Sequence, residues 1–298
     1  MSVLLIFIDG LGIGRRDDAN PFAHLPAAEV APLAIFENET PELPFGGAFI
    51  RTDPRMNVEG RPQSASGQTT ILTGVNIPQT LGYHKQGFPN RAMREIIEEH
   101  SIFLQLENLK IEPNVFVNAY TPKFFESEPR WKSATTVAVE AATMRFRTLE
   151  DLINETALFH DFTNQHLILS GFKVRERTPE QAGKILAKIA AQHRFTLYEH
   201  FITDKIGHDQ DLAAAKTHLP RLAAFVRAVL ANVDLNETTV LLTSDHGNAE
   251  DLSKRNHTLN DVPTMAWGKS KDLVAARVRT LADITPAIIE ILLAENPE

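Results

Sequence analysis

The chain has 298 residues, of which 43% are hydrophobic and 23% charged, an ordinary globular mixture that excludes a disordered or fibrous protein. Its formal charge of -8 repels nucleic acid and anionic membranes, and no cluster of lysine and arginine offsets that repulsion locally. The absence of cysteine excludes disulfides, thiolate metal ligands and a cysteine nucleophile.

The N-terminal apolar segment predicts a buried strand. Residues 3–8 have no basic region before them and are followed by Asp9, a pattern unlike that of a signal peptide. No apolar stretch approaches the roughly 18 residues that a membrane span needs. We therefore expect a cytoplasmic protein without a membrane partner, whereas the sequence does not indicate an oligomeric state.

Continuous apolar strands that alternate with helical patterns predict a mostly parallel sheet covered by helices on both faces. The expected fold class is therefore α/β, in three α/β/α layers. The predicted strands are residues 3–8, 114–120, 195–203 and 238–243. The predicted helices are residues 179–193, with Thr178 as N-cap, residues 212–231, and a terminal helix that begins near Pro286.

No internal repeat, low-complexity tract or linker rich in proline and glycine divides the chain. We therefore expect a single domain over residues 1–298. Residues 121–165 are less regular, with scattered Phe, Trp, Pro and Arg, and this composition predicts a small cap or insertion within the domain.

Four short segments bring acids and imidazoles together, and three of them directly follow a predicted strand. Ligands collect at the carboxyl ends of strands in parallel α/β sheets, so the four segments can meet in one place. A carboxylate at such a place is costly to bury without a cation. The candidate metal ligands are Asp9, Asp204, His208, Asp245, His246 and His257.

Taken singly, these segments have ordinary interpretations. Asp9 before Gly10 can be a turn residue, and the D-x-x-x-H spacing of Asp204 and His208 is frequent by chance. His257 alone is typical of a surface loop. The hypothesis of a metal site therefore depends on the set and not on any one member.

Of the 11 histidines, three lie in these segments. The other eight have the sequence contexts of helix-surface or helix-end residues and are not predicted to bind metal. Examples are His100, His193 and His218.

Three glycines after the first strand raise a different class of function. Gly10, Gly12 and Gly14 have the spacing G-x-G-x-G, whereas a dinucleotide-binding loop requires G-x-G-x-x-G. This difference argues against an oxidoreductase that binds a dinucleotide.

Hydroxyl residues before an apolar run in residues 62–74 predict the start of a helix, where Ser64 can be a simple N-cap. A helix N-terminus also stabilises anions, and a serine activated by a metal ion can be a nucleophile. Ser64 is therefore a candidate nucleophile and a candidate metal ligand. Its local rivals are Ser66, Thr69 and Thr70.

Together these motifs resemble the alkaline phosphatase superfamily, and most closely its branch of cofactor-independent phosphoglycerate mutases and phosphopentomutases. That branch has, in order, a strand-end Asp, a Ser or Thr nucleophile three residues before a Gly, D-x-x-x-H, D-H-G and H-T-x-N-x-V-P. The resemblance covers residues 1 to about 90 and about 194 to the end. The matching positions are Asp9, Ser64 with Gly67, Asp204 with His208, Asp245 with His246, and His257.

The resemblance implies an alkaline-phosphatase-like core that holds two divalent ions. Three carboxylates and three imidazoles without a thiolate suit Mn²⁺ or Zn²⁺ better than Ca²⁺. By the family pattern, one ion lies among Asp9, Ser64, Asp245 and His246, and the second among Asp204, His208 and His257.

The resemblance also implies attack by Ser64 on a small phosphorylated substrate. Release of the phosphoryl group to water makes a phosphomonoesterase or phosphodiesterase, and its return to another hydroxyl makes a phosphomutase. The chain is too short for the large separate domain of the mutases, and Gln68 stands where they often have His, so we favour the phosphohydrolase.

Two further interpretations stay open at this point. Lys85 is a candidate contact for a substrate anion, although a solvated loop lysine has the same sequence context. From another class of function, a catalytically silent member would use the metals only to stabilise the fold and would bind a partner.

Overall fold

The central sheet is built around the first strand. The computed structural model describes residues 1–127 and 129–294, and the strands of that part are β1 (Ser2–Ile8), β2 (Ala48–Thr52), β3 (Asn114–Phe116), β4 (Ala119–Tyr120), β5 (Arg147–Thr148), β6 (Phe195–His200), β7 (Thr238–Thr243) and β8 (Val262–Trp267). Six of them form a sheet in the order β2-β8-β7-β1-β6-β3. β1 is parallel to β6 and β7, and β3 is parallel to β6, whereas β8 is antiparallel to both β7 and β2.

Helices occupy most of the connections between strands. The α-helices of the described residues are α1 (Ala27–Val30), α2 (Ser64–Thr73), α3 (Ile77–Leu81), α4 (Arg91–His100), α5 (Ile102–Asn108), α6 (Pro122–Ser127), α7 (Ala134–Ala141), α8 (Leu149–Ile153), α9 (Gln165–Leu169), α10 (Pro179–Ala190), α11 (Ile202–Asp209), α12 (Leu212–Asn232), α13 (Lys271–Arg277) and α14 (Ile284–Leu293). Short 3₁₀ helices span Pro21–His24, Pro44–Gly46 and Leu281–Asp283.

Successive side chains of β1 enter two separate hydrophobic cores. One core contains residues of α10 and α12 and receives Leu4, Ile6 and Ile8. The other contains residues of α2, α5, α7 and α14 and receives the alternate side chains Val3, Leu5 and Phe7. Burial of apolar area on both faces holds β1 at the centre of the sheet. The prediction of a mostly parallel sheet in a three-layer α/β/α arrangement is confirmed.

Two strand predictions were correct and two were too long. Residues 3–8 and 238–243 lie in β1 and β7. The predicted strand 114–120 separates into β3 and β4, because the Asn118 side chain replaces the backbone in the ladder. Its Nδ2 donates to the Glu199 carbonyl at 2.7 Å, and its Oδ1 accepts from the Glu199 N–H at 3.0 Å.

The predicted strand 195–203 ends as β6 at His200, because Ile202 begins α11. The helix predictions were closer. Residues 179–193 and 212–231 correspond to α10 and α12, and Thr178 caps α10 through a capping box. The terminal helix α14 begins two residues before Pro286.

The segment predicted as a cap, residues 121–165, includes α6, α7, β5 and α8. β5 pairs with β4 in a separate two-stranded sheet, whereas α7 packs in the second hydrophobic core with β1 of the central sheet. Within it Glu128 lies outside the described residues, as do residues 295–298 at the C-terminus. The cap and the single domain over residues 1–298 stay predictions.

The longest described helix, α12, has 21 residues and is interrupted by the charges of Lys216, Arg221 and Arg227. Neither α12 nor any other helix in the described part of the chain has both the length and the apolar character required to cross a bilayer. The expected cytoplasmic location stays a prediction.

Asp151 ties the start of α8 to the strand before it. Its carboxylate accepts two hydrogen bonds of 2.9 Å from the Arg145 guanidinium and one of 2.8 Å from the Thr148 N–H. Burial acts to raise the pKa of Asp151, but these hydrogen bonds outweigh it and lower the pKa to about 2.

We expect Asp151→Asn to lower the free energy of unfolding by about 1–2 kcal/mol at neutral pH, because charge-assisted bonds are replaced by weaker ones. A depressed pKa adds stability above the unfolded value near 3.8, and that stability is lost as the pH falls through about 2. Urea unfolding of the wild type and of Asp151→Asn should therefore give free energies of unfolding whose difference becomes smaller below about pH 4. A difference independent of pH would contradict an ionic contribution.

Candidate metal centre

The ends of β1 and β7 place the first acidic side chains side by side. Asp9 follows β1 directly, and Asp245 follows β7 after one intervening residue. The Gly10 N–H donates to Asp245 Oδ1 at 3.3 Å, which joins the two strand-end loops. Both carboxylates are buried, Asp245 completely.

The helix that follows β6 supplies a second pair of ligands. Asp204 and His208 are four residues apart in α11, so both side chains lie on one face of the helix. His208 Nε2 is 3.3 Å from Asp204 Oδ2. The segment is helical over residues 202–209, which is the condition under which the two side chains of D-x-x-x-H can bind one ion.

One group of polar atoms converges on His246. Its Nε2 is 3.3 Å from Asp9 Oδ1, 3.4 Å from Asp245 Oδ2 and 3.0 Å from Ser64 Oγ. Asp9 Oδ1 is buried without a hydrogen-bond partner. A buried carboxylate oxygen without a partner is rare in proteins, and a cation would satisfy it.

The pKa shifts in this group indicate that its buried carboxylates have too little positive charge around them. Burial and the nearby Asp245 raise the pKa of Asp9 well above its ordinary value, and burial raises the pKa of Asp245 to about 6. Burial alone would lower the pKa of His246, but Asp245 and Asp9 raise it to about 10. A bound divalent cation would offset the same carboxylates.

A second group faces His208 and His257. The Nδ1 of His208 lies 2.6 Å from the Arg255 carbonyl and the Nδ1 of His257 lies 2.9 Å from the Pro62 carbonyl. A carbonyl only accepts hydrogen bonds, so each Nδ1 is the protonated nitrogen and each Nε2 has a lone pair. The two Nε2 atoms are 3.2 Å apart. Two lone pairs at that distance repel each other unless a cation is shared between them.

Asp204 belongs to both groups. Its carboxylate, His208 and His257 present ligand atoms within 4.8 Å of one another, and so do Asp9, Asp204 and His246. The rings of His246 and His257 stack with centroids 3.5 Å apart, which sets the two groups side by side. All six predicted acids and imidazoles therefore converge, and their oxygen and nitrogen atoms fit divalent ions. The sequence assigned Asp204 to the group of His208 and His257 alone, whereas in the structure its carboxylate reaches both groups.

Ser64 is the first residue of α2, and the N-cap is Gln63, whose side chain makes no capping bond. The interpretation of Ser64 as a simple N-cap was therefore wrong. One turn later, a Cβ at Gly67 would lie 2.8 Å from the Asp245 Cβ. Only glycine lets α2 approach the β7 loop closely enough to bring Ser64 to His246.

The other hydroxyls of this segment face elsewhere. Ser66 Oγ donates to the Gln63 carbonyl at 3.1 Å, Thr70 Oγ1 donates to the Ser66 carbonyl at 2.8 Å, and Thr69 has no exposed surface. Of the four hydroxyls, Ser64 is the one that lines a cavity of about 680 Å³, together with Asp9 and Asp204.

Lys85 is placed near the nucleophile by its backbone and not by its ammonium. Its N–H donates to Ser66 Oγ at 3.1 Å, while its Nζ donates to the Gln86 carbonyl. The lysine that lines the cavity is Lys205. A contact of Lys85 with a substrate anion stays a prediction.

A family model described as the metalloenzyme superfamily matches residues 1–296. The chain belongs to the metalloenzyme superfamily. Membership supports divalent metal binding and an enzymatic role for the residues described above. It leaves the reaction and the identity of the metal open.

Curated relatives of this metalloenzyme are named 2,3-bisphosphoglycerate-independent phosphoglycerate mutase. The protein of Picosynechococcus is 27% identical over 143 residues, which are 41% of this chain and 27% of the relative. That of Ehrlichia ruminantium is 24% identical over 226 residues, 71% of this chain and 39% of the relative. The chain therefore spans well under half the length of these relatives.

Solved structures support the fold. The PH0037 protein from Pyrococcus horikoshii has a TM-score of 0.59 at 12% identity, covering all of this chain and 98% of that one. A cold-active alkaline phosphatase from Shewanella has a TM-score of 0.56 at 11% identity, with both chains fully covered. The resemblance to an alkaline-phosphatase-like core is confirmed at the level of the fold.

Glu250 was missed in the sequence and joins three loops of the centre. Its Oε2 accepts from the N–H groups of Gly12 at 3.0 Å and Asn248 at 2.7 Å. Its Oε1 accepts from the Thr258 hydroxyl at 2.5 Å and from Asn260 Nδ2 at 2.9 Å. One buried carboxylate thus holds the loops that carry Asp9, His246 and His257. In the sequence, its only signal was an acidic residue in the segment that directly follows the D-H-G motif.

The glycines after β1 are explained by this carboxylate. A Cβ at Gly12 or at Gly247 would overlap the Glu250 side chain. Gly10 has a φ of 73°, which a turn requires directly after Asp9. The glycines therefore permit close packing around Glu250, which agrees with the argument against a dinucleotide loop.

Gln68 is a second residue whose role the sequence did not show. It lies one turn after Ser64 in α2, and its Nε2 donates to Asp9 Oδ2 at 3.0 Å and to Asp245 Oδ2 at 3.3 Å. An amide that donates to two carboxylates lowers their mutual repulsion and orients them toward His246.

The prediction for the remaining histidines was wrong in part. His200 is fully buried at the end of β6, and its Nε2 lies 2.9 Å from His218 Nε2 of α12. The His200 Nδ1 lies 2.7 Å from the His160 carbonyl, so the His218 Nε2 donates to His200. Burial lowers the pKa of His200 to about 4. These neutral histidines are hydrogen-bonded to each other, and the fully buried His200 departs from the predicted context, whereas His218 is a partly exposed residue of α12.

We expect Glu250→Gln to weaken binding of Mn²⁺ or Zn²⁺ about 10–100-fold, because its new amide N–H₂ would oppose two of the four donors and loosen the ligand loops. Competition with a fluorescent chelator measures this affinity. Asp251→Asn is the matched control, since Asp251 lies in the same loop but bonds only to Ser253 and Lys254 among the contacts described. Equal affinities for both variants would contradict a positioning role.

We expect His257→Ala to bind about one ion per chain where the wild type binds about two, because His257 contributes to one of the two groups. Elemental analysis after equilibration with Zn²⁺ and gel filtration measures the stoichiometry. His100→Ala changes an exposed histidine at the end of α4 and should keep the wild-type content. Unchanged metal content in His257→Ala would contradict the assignment.

Proposed function

We propose that this metalloenzyme transfers phosphoryl groups through Ser64 and uses water as the acceptor, as a phosphohydrolase. The proposal rests on one observation: Ser64 Oγ lies 3.0 Å from His246 Nε2, at the N-terminus of a ten-residue helix and at the wall of the cavity. A nucleophile, a ligand cluster and space for a substrate thus adjoin one another. The proposed substrate is a small phosphate ester.

The proposed ligands divide into two sets around Asp204. One ion would be held by Asp9, Asp245, His246 and Ser64. The other would be held by His208 and His257, and Asp204 lies between the two. The proposed ions are Mn²⁺ or Zn²⁺. Bound at these residues, they would lower the pKa of the serine hydroxyl and offset the negative charge on the phosphoryl oxygens.

Ser64 then acts in two steps. Its Oγ forms a bond to phosphorus while the bond from phosphorus to the ester oxygen breaks, and the alcohol leaves with a proton. Water next attacks the phosphoserine, which releases inorganic phosphate and returns the hydroxyl. The N-terminal end of α2 favours the anionic phosphoserine between the steps.

The alternative is a phosphomutase, in which the phosphoryl group of Ser64 returns to another hydroxyl of the retained product. The names of the curated relatives favour it. Against it, no arginine is found among the described residues that line the cavity, so no guanidinium fork is available there to hold a doubly anionic intermediate. We therefore favour hydrolysis.

We expect the protein loaded with Mn²⁺ or Zn²⁺ to release p-nitrophenol, together with inorganic phosphate from p-nitrophenyl phosphate or with p-nitrophenyl phosphate from bis-p-nitrophenyl phosphate. Ser64→Ala should lower kcat by about 10³-fold or more while keeping its metal, because the covalent route is lost. Ser66→Ala is the matched control and should keep its activity, since the Ser66 hydroxyl faces the Gln63 carbonyl.

Three other results would decide between the alternatives. Equal activity of Ser64→Ala and the wild type would contradict the nucleophile. Interconversion of phosphoglycerates without phosphate release would establish the mutase. Metal uptake without turnover of any phosphate ester would favour the silent, metal-stabilised binding protein.

A further inference from the structure

Aromatic rings form one part of the cavity lining, which we call the aromatic wall. It is formed by residues from five separate segments, namely the loop before α4, β3, β4 with α6, the loop after α8, and the turn before α11. Two of its rings are largely uncovered, since Phe88 is 46% exposed and Phe201 is 42% exposed. The wall consists of Phe88, Phe116, Tyr120, Phe124, Phe159 and Phe201.

The uncovered rings are held in place by stacking. Phe88 stacks on Trp131 with centroids 6.4 Å apart and planes inclined by 25°. Phe201 stacks on His160 at 4.0 Å and 23°. Each stack presents a flat face, and a flat ring is the ligand group that gains most from such faces.

Three of the hydroxyls that line the cavity are paired within the protein. The Tyr120 hydroxyl lies 2.8 Å from Thr136 Oγ1, which in turn lies 2.9 Å from Ser133 Oγ. The amide of Asn118 is bound on both sides by the backbone of Glu199. These groups are therefore not free to bind the alcohol portion of a substrate.

The charges of the cavity disfavour a second anionic group on the substrate. No arginine is among the described lining residues, and the one lining lysine, Lys205, pairs with Asp209. The Glu199 carboxyl also lines the cavity and is buried beside it. An additional carboxylate or phosphate on the substrate would meet this acid without a compensating cation.

We infer that the preferred substrates are phosphate esters whose alcohol carries an uncharged flat ring, which lies against the aromatic wall while the phosphate faces Ser64. This inference rests on the proposed function, since it takes the same cavity as the site of phosphoryl transfer. A volume of about 680 Å³ accommodates a ring of this kind together with its phosphate.

The test compares two esters of similar chemical reactivity, 2-phenylethyl phosphate and ethyl phosphate, with 3-phosphoglycerate as the doubly anionic comparison. For the metal-loaded protein, kcat/KM should be at least about 10-fold higher for the phenylethyl ester than for either of the others, because burial of one ring supplies that discrimination.

Two variants test the wall itself. Phe88→Ala and Phe201→Leu should each reduce the preference for phenylethyl over ethyl phosphate about 3-fold or more, since each removes one ring face. The ratio of the two kcat/KM values cancels any general loss of activity. Phe45→Ala is the matched control, because Phe45 is 51% exposed and does not line the cavity.

The failures are distinguishable. If all three esters are turned over and kcat/KM for the phenylethyl ester exceeds that for ethyl phosphate by less than about 2-fold, or is highest for 3-phosphoglycerate, the inference is wrong. The proposed phosphohydrolase would be unaffected by that result. If no ester is turned over, calorimetry of metal-loaded Ser64→Ala with 2-phenylethylphosphonate and ethylphosphonate still decides. Tighter binding of the phenylethyl compound would support the aromatic wall, and equal binding would overturn it.

Discussion

Burial of two like charges at adjacent strand ends is the constraint on which the rest of the structure depends. Asp9 and Asp245 lie where β1 and β7 leave the sheet, and burial removes most of the water that would otherwise stabilise them. The protein surrounds them with polar groups: the His246 ring, the Gln68 amide and the Gly10 N–H. The His246 Nε2 lies 3.3 Å from Asp9 Oδ1 without the geometry of a hydrogen bond, so that oxygen is available to a cation.

A second buried carboxylate solves the different problem of holding the ligands still. Backbone hydrogen bonds join the loops that follow β1 and β7 and the loop before β8, from the Ala249 N–H to the Gly10 carbonyl, from the Ile13 N–H to the Asp261 carbonyl and from the Thr258 N–H to the Gly247 carbonyl. Glu250, in the loop after β7, accepts hydrogen bonds from four donors of the same loops without using any metal ligand. His257, which lies far from Asp9 along the chain, is thus held near it by contacts within the protein.

The sequence predicted those features that follow from continuous burial or from a spaced motif. β1, β7, α10 and α12 have uninterrupted apolar or helical patterns, and five of the six ligands follow strand ends or share a helix face, whereas His257 was predicted from its motif. β8 was missed, although it is fully buried, because Pro263 within it argues against a strand and its pairing is antiparallel. Glu250 and Gln68 could not be assigned, because their partners are backbone N–H groups and carboxylates that only the tertiary fold brings near. The break between β3 and β4 at Asn118 was not predicted for the same reason, since the Asn118 side chain there makes the two hydrogen bonds to Glu199 that a backbone would make in a strand.

Reaction and selectivity thus arise from different parts of the chain. The ligands and Ser64 sit on elements anchored in the two cores on either face of β1, where a displacement would disturb tightly packed apolar side chains. Most of the aromatic wall comes from residues 88–159, where tilted and edge-on ring contacts surround Tyr120. Phe116 of β3 belongs to the second core and Tyr120 packs against it, whereas Phe88 and Phe201 belong to neither core, so these two rings can be altered with least disturbance of the packing that supports the ligands. Because three of the lining hydroxyls are paired with one another and no arginine is among the described lining residues, the proposed selectivity depends on stacking and on the exclusion of charge.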